Sequence, residues 1–385
     1  MTGWERPGTG PWTRRVLLLT IAAVTLATTW FIARPDRPSG RLDVSHELVR
    51  PAVDPAPTAW PDARPGRWRV VPRSPLTSRS DYAVVWTGSE MIVWGGFDAA
   101  DRPQLDGAAF DPASGTWREL PTTAARDPSV VGVASGTDVV FVSPTETRRY
   151  DPAERRWRAG PVLPLPRRHA LGDRIVAAGW RVVAVTEPSA PDGRSAIFAL
   201  SPGAERWQRL PDVPVTMTDA HALVTAGSEV MVFGPPVEDQ PAAMAIDLDT
   251  SPVTWYPIPA PPRLGGQRLS ALTGVTAGDR IMLWGTPEDG AAAYAAVYDH
   301  SAWRLVDPGP MASSRSVRVL WTGDRLLVWD RMRNAGALLD PEAARWERIP
   351  PPPLTGLEVA REALWTGSGL LVWGALATGG ALYTP

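Results

Sequence analysis

Six arginines stand at the head of a segment that comes back along the chain: Arg79, Arg126, Arg168, Arg268, Arg315 and Arg361. A guanidinium presents its N–H groups as a planar fork that matches a carboxylate or a sulfate. Gathered on one face, six such groups would form a ring able to hold an anionic part of a ligand. The bland alternative is that arginines recurring with a repeat pair with neighbouring units or with acidic loops.

Other chemistry is thinly represented. Asp98, Asp101, Glu187, Asp192, Glu238, Asp239, Glu288 and Asp289 fall in the longer connections. They could offset the arginines, stay solvated, or hold a hard cation through oxygen ligands. The four histidines are His46, His169, His221 and His300. His169 and His221 fill the repeat slot that Tyr82 fills earlier, which reads as structural, and the set is too scattered for a metal cluster. Cysteine is absent, which excludes disulfides, zinc–thiolate sites, iron–sulfur clusters and a thiol nucleophile. No nucleophile elbow, phosphate loop or His-Glu zinc pattern occurs. No catalytic residue, metal ligand or cofactor is therefore assigned.

The elements that must position the arginines are read from the repeat. Tryptophans followed by a proline-ended stretch lie at Trp68, Trp117, Trp157, Trp207, Trp255, Trp303 and Trp346, 40 to 50 residues apart. Each period holds four segments: an apolar run behind the arginine slot, a β-rich run behind a glycine turn, a "GAAFDP"-like run, and the tryptophan run. Valine, isoleucine and aromatics dominate, as strands prefer. Stretches such as "TGSE", "SGTD" and "AGDR" supply the glycine of a tight hairpin. Asp-Pro at 111–112, 151–152 and 340–341 presets a turn, because Asp caps its own backbone and Pro fixes the next φ. The run Gly379–Pro385 reads as a third segment with no tryptophan segment after it, whereas Gly66–Pro72 reads as a fourth segment with nothing like the first three before it. Pairing the two closes a ring of seven. The expected fold is an all-β, seven-bladed propeller of four-stranded antiparallel blades over 66–385, sealed by an N-terminal outer strand.

The pattern arginine–x–x–His/Tyr–Ala, an apolar run, a Gly turn, "VWGG", then "DP…TW…LP" resembles the kelch repeat and the propellers of the galactose-oxidase type. The resemblance covers about 320 residues and is best at Arg79–Pro121; the double glycine survives only at Gly95–Gly96. It implies that the arginine slot lies near the mouth of a central channel, where such propellers bind peptides. The copper–thioether chemistry of galactose oxidase needs a cysteine this chain lacks. "DPASGTW" resembles a sialidase aspartate box, but its Asp-to-Gly spacing is too long. The remaining tryptophans repeat with the blades and read as packing; Trp180 breaks the pattern, as a sugar-stacking residue would, but sits at a turn.

Strand alternation places the connections between second and third strands, and those between blades, on one face. These are the longer loops, and function concentrates on long loops held by a rigid scaffold. Net charge is −2 and no lysine occurs, so nothing argues for nucleic acid, and the all-arginine usage reads as a GC-rich bacterial coding bias. Arg14 and Arg15 precede an apolar run over 16–33, near the lower limit for a membrane-spanning helix. Positive charge ahead of it places residues 1–15 in the cytoplasm. A retained signal anchor is the leading reading; cleavage near Thr25-Leu26-Ala27, giving a secreted protein, and a buried helix are the others. The Pro-rich stretch 34–65 reads as a spacer. The whole is expected to be a single-pass, extracytoplasmic binding module for a protein, peptide or glycan. The other functional reading is a divergent propeller hydrolase or lyase acting on envelope carbohydrate.

Overall fold

The computed structural model describes residues 66–165, 170–187, 194–235, 241–262, 268–299, 301–314, 316–354, 362–374 and 379–385. The expected membrane-spanning run and spacer lie outside the described residues. Among the described residues, no helix is long and apolar enough to cross a membrane.

Seven four-stranded antiparallel sheets follow one another. Blade 1 consists of Ala83–Trp86, Met91–Trp94, Gly107–Asp111 and Thr116–Glu119. Blades 2 to 6 lie within 131–160, 170–209, 222–257, 269–305 and 317–349, each in the strand order of the chain. Blade 7 takes three strands from Glu362–Trp365, Leu370–Gly374 and Gly379–Thr384, and its fourth from Arg67–Val71. Arg67 faces Thr384, Trp68 faces Tyr383 and Val71 faces Gly380. The seven-blade count and the closing strand are as the sequence implied.

The local reasons are visible in the turns. Every hairpin between first and second strands holds one glycine at positive φ: Gly88, Gly136, Gly179, Gly227, Gly278, Gly323 and Gly367. Asp111, Asp151 and Asp340 each accept backbone N–H groups two residues on, at 2.8, 3.0 and 2.9 Å, which folds the turn into the fourth strand. Second strands such as Met91–Trp94 and Leu326–Asp330 are buried throughout, being covered on both faces and both edges. Fourth strands carry exposed arginines and glutamates, as expected of an outer edge that must not recruit another chain.

The core is a set of seven clusters, one at each junction between successive blades. The junction of blades 1 and 2 packs Trp94 and Ile92 on Phe141 and Tyr150. The last junction packs Leu371 and Trp373 of blade 7 on Met91, Val93 and Phe110 of blade 1, so the ring is continuous. First strands of successive blades lie side by side around the axis. Second-strand tryptophans reach the fourth-strand tryptophan of the next blade. Trp94 lies 5.8 Å from Trp157, Trp373 5.8 Å from Trp117, and Trp329 6.3 Å from Trp68, between ring centroids. Each such pair adds about 1 kcal/mol beyond the area it buries.

A second, polar device repeats without exception. The indole Nε1–H of the tryptophan in each fourth strand, or just before it at Trp207, donates to a carbonyl at the end of the preceding blade's fourth strand. The pairs are Trp117 to Pro72, Trp157 to Pro121, Trp207 to Pro161, Trp255 to Pro211, Trp303 to Pro259, Trp346 to Asp307 and Trp68 to Pro350, at 2.7 to 2.9 Å. Proline suits this position because it has no N–H of its own, so its missing donor leaves no further partner to find. The strand Arg67–Val71 serves two of the seven latches: Trp68 donates to blade 6, and Pro72 accepts from blade 1.

Candidate functional site

The long-loop face begins where each first strand begins. In blade 1 the approach to that strand and the excursion from Gly95 to Asp106 are woven together. Ser80 and Phe97 exchange backbone hydrogen bonds at 2.8 and 2.9 Å. Gly95 and Gly96 sit at φ of 77° and 92°. A Cβ on Gly95 would meet the carbonyl oxygen of Pro128 at 2.4 Å, and one on Gly96 that of Ser80 at 2.3 Å. The double glycine is therefore where the incoming chain of blade 2 rests on blade 1.

Arg79 is the centre of this weave. Its side chain is fully buried. Nη1 donates to the Gly95 carbonyl at 3.1 Å and to Asp106 Oδ1 at 2.8 Å, while Nε and Nη2 donate to the Thr77 carbonyl and hydroxyl. The guanidinium thus fixes the loop from beneath.

Arg126 and Arg268 hold the same repeat slot and are exposed. The difference at Arg126 lies in the acidic neighbour. Glu146 accepts the backbone N–H groups of Arg126 and Asp127 at 2.7 and 2.9 Å and pairs with Arg148, leaving the Arg126 guanidinium outside. Neither Arg126 nor Arg268 has a guanidinium hydrogen bond or ion pair among the described residues. Arg168, Arg315 and Arg361 lie outside the described residues, as do His46, His169 and His300, and the structure brings no ring of six together within what it describes.

Two further arginines, on first strands and paired with the start of the next blade, were not singled out from sequence. Arg174, in the first strand of blade 3, donates to the Thr218 carbonyl at 2.6 Å and lies 3.8 Å from Asp219. Arg318, in the first strand of blade 6, lies 3.6 Å from Glu362 of blade 7. The signal was a charge interrupting an otherwise apolar first strand, in "DRIVAAG" and "SVRVLW".

His221 is buried against Gly234, where an added Cβ would fall 2.1 Å from the ring. Its Nδ1 accepts the Thr218 N–H at 3.2 Å, so the proton of the neutral ring sits on Nε2. Burial, with the nearby Arg174 charge, pushes the imidazole pKa down to about 4. A neutral, packed imidazole is a structural group at neutral pH.

Two loop carboxylates, Asp98 and Glu146, are held ionised. Backbone N–H groups of Arg102 and Ala100 lower the pKa of Asp98, and those of Arg126 and Asp127 lower that of Glu146 against its partial burial. Carboxylates held down in this way suit anion-type contacts rather than proton donation. Among the described residues, no three His, Asp or Glu side chains converge as a metal site requires. In comparison with known proteins, no family model matches the chain and no curated protein matches it.

Proposed function

We propose that this chain is a binding module of the kelch or galactose-oxidase type. It is held to the cell membrane by its N-terminal run, with the propeller outside, and takes a protein, peptide or glycan at the long-loop face. The observation that carries the reading is the unequal fate of one repeat slot. The same arginine position that locks a loop in blade 1 is left as an exposed cation in blades 2 and 5, on a scaffold whose latches repeat without exception. Rigid frames with variable, charged loops favour recognition. Blade 1 supplies an ordered rim, and Arg126 and Arg268 supply cations for carboxylate or sulfate groups.

The test is capture from envelope extracts by the full-length chain, with Arg126, Arg268, Arg315 and Arg361 changed to Ala together and Arg79 kept to preserve the loop. Loss of one or more captured partners at unchanged thermal stability is expected. Identical capture by the variant would rule out the arginine reading. Protease protection in intact cells checks the orientation, since cleavage of the propeller from outside is expected.

A further inference from the structure

The opposite face, built from the hairpin turns, carries a cleft of about 730 Å3 between blades 1 and 2. Ser89, Glu90 and Arg118 line it from blade 1, and Thr137, Asp138 and Arg155 from blade 2. Its floor is fixed. Arg118 donates to both oxygens of Glu90, at 3.0 and 2.5 Å, and to the Tyr150 hydroxyl at 3.0 Å. Its walls are not: the side chains of Thr137, Asp138 and Arg155 make no hydrogen bond among the described residues. The turn tips are open, with nothing within 4 Å of a Cβ placed on Gly88 or Gly136.

One turn away stands Trp180, 47% exposed, at the tip of the blade 3 hairpin. The Ser135 hydroxyl, from the turn that borders the cleft, donates to the Trp180 carbonyl at 3.0 Å. One ring face is covered by Arg181, whose guanidinium carbon lies 3.9 Å from the centroid. Arg181 is itself anchored to Asp249 of blade 4 at 2.7 Å. The indole is therefore pinned from one side.

We propose that the cleft and Trp180 together bind a neutral pyranose oligosaccharide. The volume lies in the range of ligand sites. Glu90 is neutralised by Arg118, Asp138 and Arg155 oppose each other in sign, and the one remaining carboxylate, Asp111, accepts the Ala113 N–H of its own turn, so the lining offers an anionic ligand no attraction. Donors, acceptors and hydroxyls, anchored in the floor and uncommitted in the walls, are what a polyhydroxylated ring can use. A pinned, exposed indole offers the flat apolar surface that the C–H face of a pyranose covers. A peptide would seek a large apolar pocket or a free sheet edge. The cleft contains no aromatic or leucine-sized side chain, and the hairpins that border it have their strands already paired. The site is separate from the long-loop face and does not depend on the reading given for it.

The test is titration calorimetry of the full-length protein, in a detergent without a sugar headgroup, against cello-, xylo-, chito- and maltohexaose. At least one is expected to bind. Trp180→Ala should weaken it about tenfold. Ala153→Trp, which fills the cleft from an exposed position, should weaken it at least as much, and Thr137→Val provides a milder variant of the same wall. The Arg126→Ala/Arg268→Ala variant should bind the sugar unchanged, so failure of the long-loop reading is separable from failure of this one. Binding of none of the four sugars at millimolar concentration overturns the proposal. So does binding indifferent to Trp180→Ala and Ala153→Trp, or displacement of the sugar by a peptide at the same cleft.

Discussion

Replacing Trp68 tests the closure of the ring at a single residue. The side chain is half-buried at the junction of blades 6 and 7, 5.2 Å from Tyr383 and 6.3 Å from Trp329 between centroids. Its Nε1–H donates to the Pro350 carbonyl at 2.7 Å. Trp68→Phe keeps most of the contact area and removes the hydrogen bond, for about 1 kcal/mol. Trp68→Ala also removes the packing, for about 3 kcal/mol, the low end of the usual range because the ring is only half-buried. Val70, two residues on, is 59% exposed, and Val70→Ala should stay within about 0.5 kcal/mol of the parent. Deleting 66–72 removes both latches and all five paired positions of that strand, and leaves Gly379–Thr384 as an open edge. Urea unfolding followed by far-ultraviolet circular dichroism gives the order parent, Phe variant, Ala variant, deletion. If Trp68→Ala unfolds at the midpoint of Val70→Ala, the closing strand does not hold the ring and the argument fails.

Other consequences are equally direct. Arg79→Met strips partners from the Thr77 and Gly95 carbonyls and from Asp106 and should cost about 2–3 kcal/mol, with faster hydrogen exchange confined to 95–106. Exchange unchanged in that loop would mean that Arg79 does not order it. His221 has a folded pKa below its unfolded value of 6.5, so the unfolded chain binds the proton first. Stability is full at pH 7 and is lost as pH falls from about 6.5 to about 4, by about 3 kcal/mol. His221→Gln should flatten that part of the urea-midpoint profile, leaving the carboxylate losses at lower pH. Ala344 holds φ of +51° at the turn position that Gly115 fills in blade 1. Ala344→Gly should stabilise by about 1 kcal/mol in the same assay, and a loss would mean that the side chain makes a contact worth more than the strain.

Blade number, strand order and the closing strand could be read from the sequence because each rests on local chemistry that repeats: glycine at a hairpin, Asp-Pro at a turn, tryptophan near a strand-end proline. What the tryptophan does with the proline could not. The indole of Trp157 bonds the carbonyl of Pro121, 36 residues back in the preceding blade, and that pairing exists only once the ring geometry is known. The arginine slot shows the same limit. Arg79 and Arg126 look alike in sequence. One is buried because Asp106 and the Thr77 and Gly95 carbonyls converge on it, and the other is exposed because Glu146 turns to the backbone instead. Side-chain fate at equivalent positions is decided by the partner loop, and loops are where the blades differ.

The pairing of Arg67–Val71 with Gly379–Thr384 also sets an order of events in time. Within the propeller, the strand synthesised before the seven blades' other strands finds its place only beside Gly379–Thr384. In an unfolded chain, bringing the two together would close a flexible loop of more than three hundred residues at an entropic cost of about 5 kcal/mol, a cost that stacking of the intervening blades removes. Six blades can stack as neighbours as they emerge, but the seventh interface waits, with an unpaired edge exposed meanwhile. Sealing the ring is thus a late and single step, made by a strand that was in hand before blade 1 began.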